Sequence, residues 1–247
     1  MIDLTLCRRV EEASLNAWPA LQQSLIDGWV LRFSRGFTKR ANSIVPLYPS
    51  QQAAIEKIRY CENLYSRERL KTIFRLTTVM EAESLDALLE QRGYQHVDPT
   101  RVLVCDLQGT SFSVGPSFHE VPRDEWLDAY AGAADVPPAG QQLHAMLLAG
   151  IRSEHVFGFI SLDRAPVACG VAVLERELVG LFDVVTLPSA RRQGHGNTLV
   201  ESLLAWGRNN GARHAYLQVM EANHPARALY RRLGFADLYR YWYRVSP

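Results

Sequence analysis

Residues 181–206 read LFDVVTLPSARRQGHGNTLVESLLAW, and the fold turns on what this stretch forms. An apolar run ends at Pro188, and a polar segment of arginine, glycine and histidine follows. From Asn197 onward, Leu199, Leu203, Leu204 and Trp206 recur at roughly helical spacing. The pattern predicts a strand, a glycine-rich loop and a helix. Gly194 and Gly196 allow a tight turn and let a ligand approach without meeting a Cβ. The first amides of the helix have no intrahelical acceptors and converge at the positive end of its dipole. Such a junction suits phosphate or pyrophosphate, and Arg191 or Arg192 adds a charged donor fork. A surface turn with a helix cap gives the same pattern, so the loop alone leaves both readings open. No G-x-G-x-x-G is present and no G-K-[ST] follows, which separates the stretch from dinucleotide fingerprints and nucleotide-hydrolase loops.

Working outward, close-set strands are expected at 155–162, 165–175 and 178–187, as in an antiparallel meander. Helix candidates at 123–133 and 140–150 precede them. A helix at 197–211, a strand at 212–220, a helix at 224–234 and a strand at 236–245 follow. The first half repeats the alternation. A short helix is expected around 11–20, strands at 28–36 and 41–49, and a helix at 51–64 that Ser50 would cap. A strand at 71–77, a helix ending at Gly93 and a strand at 101–107 complete it. Residues 108–124 are rich in Ser, Gly and Pro and read as a linker, with the boundary near residue 115. Helices and strands in this order predict an α/β protein with a mixed sheet and helices on its faces.

The ends of the halves resemble each other. Residues 85–107 can be laid beside 226–246: each gives a short helix, a glycine followed by an aromatic, and a strand. In that comparison Leu89 takes the place of Tyr230, and the first half has no glycine loop. The first half therefore reads as a degenerate, supporting copy, although αβ endings of unrelated origin share some of these features.

The composition limits the classes of partner. A net charge of +1 over 247 residues argues against a charge-driven nucleic-acid binder. Arg32, Arg35, Lys39 and Arg40 interleave with Phe33 and Phe37, which reads as a solvated hairpin or a wall of a substrate cleft rather than a nucleic-acid surface. No apolar stretch reaches about 18 residues and no secretory signal is seen, so a cytoplasmic protein without a membrane partner is expected. Cys7, Cys61, Cys105 and Cys169 are scattered, without a CxxC pair, and read as buried reduced thiols. No His/Cys/Asp/Glu pattern has metal-ligand spacing, so no metal is expected.

The stretch 191–196, RRQGHG, resembles the [Q/R]-x-x-G-x-[G/A] motif of the GCN5-related N-acetyltransferase (GNAT) superfamily. Residues 223–235, NHPARALYRRLGF, are similar to its N-x-x-A-x-x-L-Y-x-x-x-G-F, with Asn223, Ala226, Leu229, Tyr230, Gly234 and Phe235 in register. The resemblance is firm over residues 155–245. It implies an acyl-CoA N-acyltransferase fold, in two tandem copies: 1–115, degenerate, and 116–247, working.

The resemblance also implies roles. Acetyl-CoA would be the co-substrate. Its pantetheine arm would pair with the backbone of Val185 and Leu187, and its pyrophosphate would sit on the amides from Arg192 through Gln193, Gly194, His195 and Gly196 to Asn197. Arg191 or Arg192 would reach the 3′-phosphate or the adenine side. Asn223 would touch the cofactor arm, and it is equally well placed to cap the helix at Pro225. Tyr230 would protonate the departing thiolate, and a strand amide such as that of Val185 would polarise the carbonyl. Asp183 is the first candidate base, because a lone aspartate in an apolar strand needs a partner. Glu221 is the second, and each acid also has a plain salt-bridge reading. The expectation is acetyl transfer to a primary amine of a small molecule or peptide by direct attack, in a monomer or homodimer. The alternative is a non-catalytic acyl-CoA-binding regulatory or structural module.

Overall fold

The expected strand, loop and helix lie near the middle of a single sheet. The computed structural model of the protein describes residues 3–79, 82–134 and 136–247. Helix α1 (Leu4–Ala17) opens the chain, and the Asp3 side chain caps it by accepting from the Leu6 amide at 3.0 Å. It begins earlier than the helix expected around 11–20 and stops before Pro19, which cannot continue it. A hairpin follows, β1 (Gln22–Ile26) and β2 (Trp29–Phe33). Strand β1 escaped the sequence reading because its side chains are exposed and lack apolar alternation. Its turn, Asp27 at φ 40° and Gly28 at φ 81°, is the Asp-Gly type that favours two-residue hairpins.

Strand β3 (Ile44–Pro46), helix α2 (Ala54–Arg67), strand β4 (Ile73–Thr77), helix α3 (Ala82–Gln91) and strand β5 (Gln95–Asp106) complete the first half. Ser50 does not cap α2: the cap position is Ala53, which contributes no side-chain bond. The stretch expected to be a linker contains a short strand, β6 (Phe118–Glu120). It is also held to the body of the protein, since the Gly115 amide donates to Ser202 Oγ at 3.0 Å. Then come α4 (Arg123–Ala134), α5 (Pro138–Ala149), β7 (Glu154–Leu162), β8 (Ala165–Glu175) and β9 (Leu178–Thr186). Helix α6 (His195–Asn209), β10 (His214–Met220), α7 (His224–Arg232) and β11 (Ala236–Val245) end the chain.

Among the described residues, eleven strands form one sheet in the order β1-β2-β3-β4-β11-β5-β10-β9-β8-β7-β6. The β3/β4 and β9/β10 pairs are parallel and the others antiparallel, giving the mixed sheet expected. Residue 115 divides the chain but not the sheet. Strand β5, from the first half, pairs with β10 from His214↔Asp106 to Met220↔Thr100. Strand β11, from the second half, pairs with β4 on one side and β5 on the other. Each half thus gives its last strand to the other. The strand expected at 236–245 is this exchanged strand, with Tyr239, Tyr241 and Tyr243 buried on one face.

Both faces of the second half's sheet are covered. Leu199, Leu203 and Leu204 of α6 pack with Leu181 and Leu217 on one face. Trp18, Trp126 of α4 and Leu147 of α5 pack with Val171 and Phe182 on the other. A third apolar cluster joins Ile58 and Tyr65 of α2 and Leu89 of α3 to Phe74 and Leu76 of β4. Helix α1 is locked to β4 through charge and to the exchanged strand through a hydroxyl. Glu11 and Arg75 are both fully buried and paired, with Arg75 Nη2 to Glu11 Oε1 at 2.9 Å, and the Tyr239 hydroxyl donates to the same carboxylate. No helix among the described residues is long and apolar enough to cross a membrane.

Candidate active site

A β-bulge sets the site. Between Cys169↔Val185 and Val171↔Phe182 the β8/β9 register shifts by one residue. Asp183 takes up the extra residue in a left-handed conformation, φ 51°, which aspartate tolerates better than a β-branched neighbour would. Gly170, opposite the bulge, has its carbonyl bonded by the Trp126 indole at 3.1 Å.

The bulge also ends the pairing of β9 with β10, whose last partners are Leu217↔Leu181. Beyond that point β10 continues to pair with β5 on its far side, and a cavity of about 240 Å³ opens between β9 and β10. Asp183, Val184, Gln218, Asn223, Tyr230 and Arg40 are among the residues that line it. The sequence reading gave the backbone of Val185 and Leu187 to this slot, and the structure corrects that by one residue. The Leu187 amide donates to Val167 at 2.9 Å, toward β8. Alternation points Val185 the same way and leaves Val184 and Thr186 facing the slot. For the same reason the strand amide available to a carbonyl in the slot is that of Val184, not Val185.

The glycine loop lies at the end of β9, past a single 3₁₀ turn at Pro188–Ala190. Gly194, at φ 89°, starts α6, and no atom lies within 4 Å of where its Cβ would stand. Among the described residues, no acceptor is found for the amides of Arg192, Gln193, Gly194, His195 and Gly196. The Asn197 amide, also expected to be free, is taken by the Gly194 carbonyl at 2.9 Å. Open space over a row of unspent amides at a helix start fits a diphosphate. Arg191 turns back so that its Nε donates to Thr186 O at 3.3 Å, and Gln193 Nε2 bonds Ser189 O at 3.1 Å. Arg192 is exposed beside the loop.

Tyr230 is 7% exposed, and burial pushes its hydroxyl up to about 12, so it stays protonated through the neutral range. Asn223 fills the capping role foreseen for it. Its Oδ1 accepts from the Ala226 amide at 3.2 Å, capping α7, and the residue also lines the cavity.

Asp183 has the partner that its position demanded. His144 Nε2 lies 2.8 Å from Asp183 Oδ2. His144, on α5, is 2% exposed and enclosed by aromatic rings: Tyr130 at 4.9 Å, Trp18 at 5.4 Å, Phe37 at 5.8 Å and Trp126 at 5.9 Å between centroids. Tyr130 is raised well above the usual phenol range, by burial and then by the charge of Asp183. Glu221 is different. Its carboxylate lies 3.3 Å from Arg101 Nε and 3.8 Å from Arg240 Nη1, the plain salt-bridge arrangement, and it is not among the residues that line the cavity.

His144, Tyr130 and Arg40 were missed as site residues. Arg40 was legible only as part of a stretch read as a solvated hairpin or a cleft wall, and it lines the cavity. His144 carried no local signal, because its meeting with Asp183 is a contact between elements far apart in the chain.

The family comparison covers both halves. A family model described as "Probable histone acetyltransferase Rv0428c C-terminal" matches residues 5–244. The chain is 25% identical over 247 residues to the uncharacterized N-acetyltransferase YobR of Bacillus subtilis (strain 168), covering 97% of this chain and 98% of that one. It is 26% identical over 229 residues to the probable histone acetyltransferase Rv0428c of Mycobacterium tuberculosis, covering 92% of this chain and 70% of that one. A GCN5-related N-acetyltransferase from Kribbella flavida shares the fold, with a TM-score of 0.73 at 21% identity over 97% of this chain and 95% of its own. This chain belongs to the family of the Rv0428c C-terminal region, and with it to the GCN5-related N-acetyltransferase superfamily.

Proposed function

We propose that the protein transfers an acetyl group from acetyl-CoA to a primary amine of a small molecule or peptide by direct attack. The observation that carries this reading is the slot itself. It lies beside the open edge of β9 with Tyr230 in its lining, and a row of unspent amides at Arg192–Gly196 stands past the end of that strand.

Each step uses a named group. The amides at the start of α6 hold the diphosphate of the donor, and the slot-facing backbone of Val184 and Thr186 holds its arm. The amine nitrogen bonds to the thioester carbon as the C–S bond breaks. Asp183 accepts the proton that the amine gives up, and His144 keeps that carboxylate aimed into the slot. The Val184 amide stabilises charge on the carbonyl oxygen. The Tyr230 hydroxyl supplies the proton taken by the leaving thiolate. A covalent cysteine route is disfavoured. Burial, and then the charge of Asp183, pushes the Cys169 thiol up to about 12. The first half then acts as a degenerate copy that supports the site and lends it a wall.

The test is release of free CoA against a panel of amines, with the wild type beside Asp183→Asn. Transfer to at least one amine, slowed by about 10²-fold in the variant with CoA binding kept, supports the reading. Tight CoA binding with no transfer to any amine in the wild type would favour a non-catalytic acyl-CoA-binding module instead.

A further inference from the structure

Arg40 is an unspent charge. Among the described residues its guanidinium donates no hydrogen bond and has no carboxylate within 4.0 Å, while its Nε is fully buried. Arg40 itself is half-buried, and the fully buried arginines are engaged. Arg32 donates to the carbonyls of Arg40, Leu15 and Trp18, Arg75 is paired with Glu11, and Arg244 with Asp86 and Glu90. A buried N–H without an acceptor loses its hydration and gains nothing in return.

The Arg40 side chain is also held in place. It lies over the Trp18 and Phe182 rings, 5.2 and 5.9 Å from their centroids. Its loop is pinned by Asn42, whose Oδ1 accepts from the Ser34 and Gly36 amides at 2.7 and 2.9 Å. The Asn42 Nδ2 donates to the Phe37 and Thr38 carbonyls at 2.7 and 2.8 Å. Arg40 therefore faces the slot from a fixed position.

Asp183 lines the same cavity, yet its carboxylate is bonded to His144 and not to Arg40. A cation and an anion face one small cavity without meeting each other. The molecule that matches this layout carries both charges in the opposite order.

Resting on the acetyltransferase reading, we propose that the acceptor is an amine that bears a carboxylate on the same molecule, an amino acid or a close relative, and that Arg40 holds that carboxylate. A planar carboxylate suits the two-pronged donor face of a guanidinium. Its single charge is also tolerated beside Asp183 more readily than the double charge of a phosphate. The diphosphate of the donor has its own site at the far end of β9, so it does not use up Arg40. The first half thereby gives the working site its specificity.

The test compares L-amino acids, their carboxamides and their decarboxylated amines as acceptors, in the wild type, Arg40→Gln and Arg40→Lys. The expected result is a kcat/KM for the free acids about 10²-fold above that for the carboxamides in the wild type. Arg40→Gln erases that preference and leaves the KM for acetyl-CoA unchanged, and Arg40→Lys recovers part of it. Equal use of acids and carboxamides by the wild type overturns the proposal, as does a preference for phosphorylated amines. An Arg40→Gln variant whose main defect is a raised KM for acetyl-CoA also overturns it, because Arg40 would then serve the donor. Binding is read separately through tryptophan fluorescence in the presence of CoA, since Trp18 adjoins Arg40. Saturable quenching by the free amino acids, lost in Arg40→Gln, is expected even if no transfer occurs. Its absence in the wild type sinks the carboxylate site whatever the outcome of the transfer assay.

Discussion

Leu89 and Tyr230 occupy the same place in two helix endings of the same backbone geometry. The Tyr94 amide donates to the Leu89 carbonyl and the Phe235 amide to the Tyr230 carbonyl, each at 3.0 Å. Between them stand Gly93 at φ 82° and Gly234 at φ 88°, whose amides bond Glu90 and Arg231 at 2.9 and 3.1 Å. The backbone of the two endings is the same, and the side chain at the decisive position is not. One ending turns a leucine into an apolar core, the other a phenol toward the slot.

Tyr230→Phe should keep CoA binding and lower kcat by about 10²-fold, with a pH profile of unchanged shape below pH 10. Steady-state kinetics and a CoA titration check this together. The variant should also resist alkali better. The folded phenol is raised to about 12, against about 10 when unfolded. A group raised on folding contributes stability below its unfolded value and loses it as pH rises toward the folded one. Wild-type stability should therefore fall more steeply than that of the variant between pH 10 and 12 in denaturant melts. Loss of CoA binding by Tyr230→Phe would contradict the role assigned to its hydroxyl.

Gly194→Asp should abolish CoA binding. An aspartate at φ 89° is strained, and its carboxylate would stand where the diphosphate belongs. Gly194→Ala separates the two effects, because it keeps the strain without the charge. Calorimetric titration should rank wild type, alanine and aspartate in that order, with the alanine variant weaker by about 1 kcal/mol or more. Equal affinity in all three would remove the loop from the donor site.

Fragments 1–115 and 116–247 should not fold separately. Each would lack the strand that closes its sheet, since β5 and β11 are exchanged. Co-refolding the two should restore a cooperative melt and CoA binding. Tight CoA binding by fragment 116–247 alone would show that the exchange is dispensable.

Asp86 fastens the exchanged strand to α3. It accepts from Arg244 Nη2 at 2.7 Å and from the Trp242 indole at 2.6 Å. The Arg244 hydrogen bond lowers its pKa, against the opposing effect of partial burial. A carboxylate lowered on folding contributes stability above its unfolded value of about 4 and loses it as pH falls through the folded one. Asp86→Asn should thus be less stable than wild type at pH 7, and the gap should narrow at pH 3 in urea melts. A gap that persists undiminished at pH 3 would mean that the charge is not what holds the strand.

The glycine loop, the α7 cap at Asn223 and the positions of Tyr230 and Asp183 could be read from residues 181–235 because each is a local pattern. Helical spacing, a proline, a glycine pair and a capping residue act within a few residues of themselves. What tertiary structure decided is everything that crosses the chain. The exchange of β5 and β11, the meeting of His144 with Asp183 and the reach of Arg40 into the slot are contacts between distant segments. No periodicity announces them, since strand pairing depends on which edges remain open once the helices have packed. The one-residue correction along β9 has the same origin. An alternating strand says that two faces exist, and only the bulge at Asp183 fixes which residues turn toward the gap.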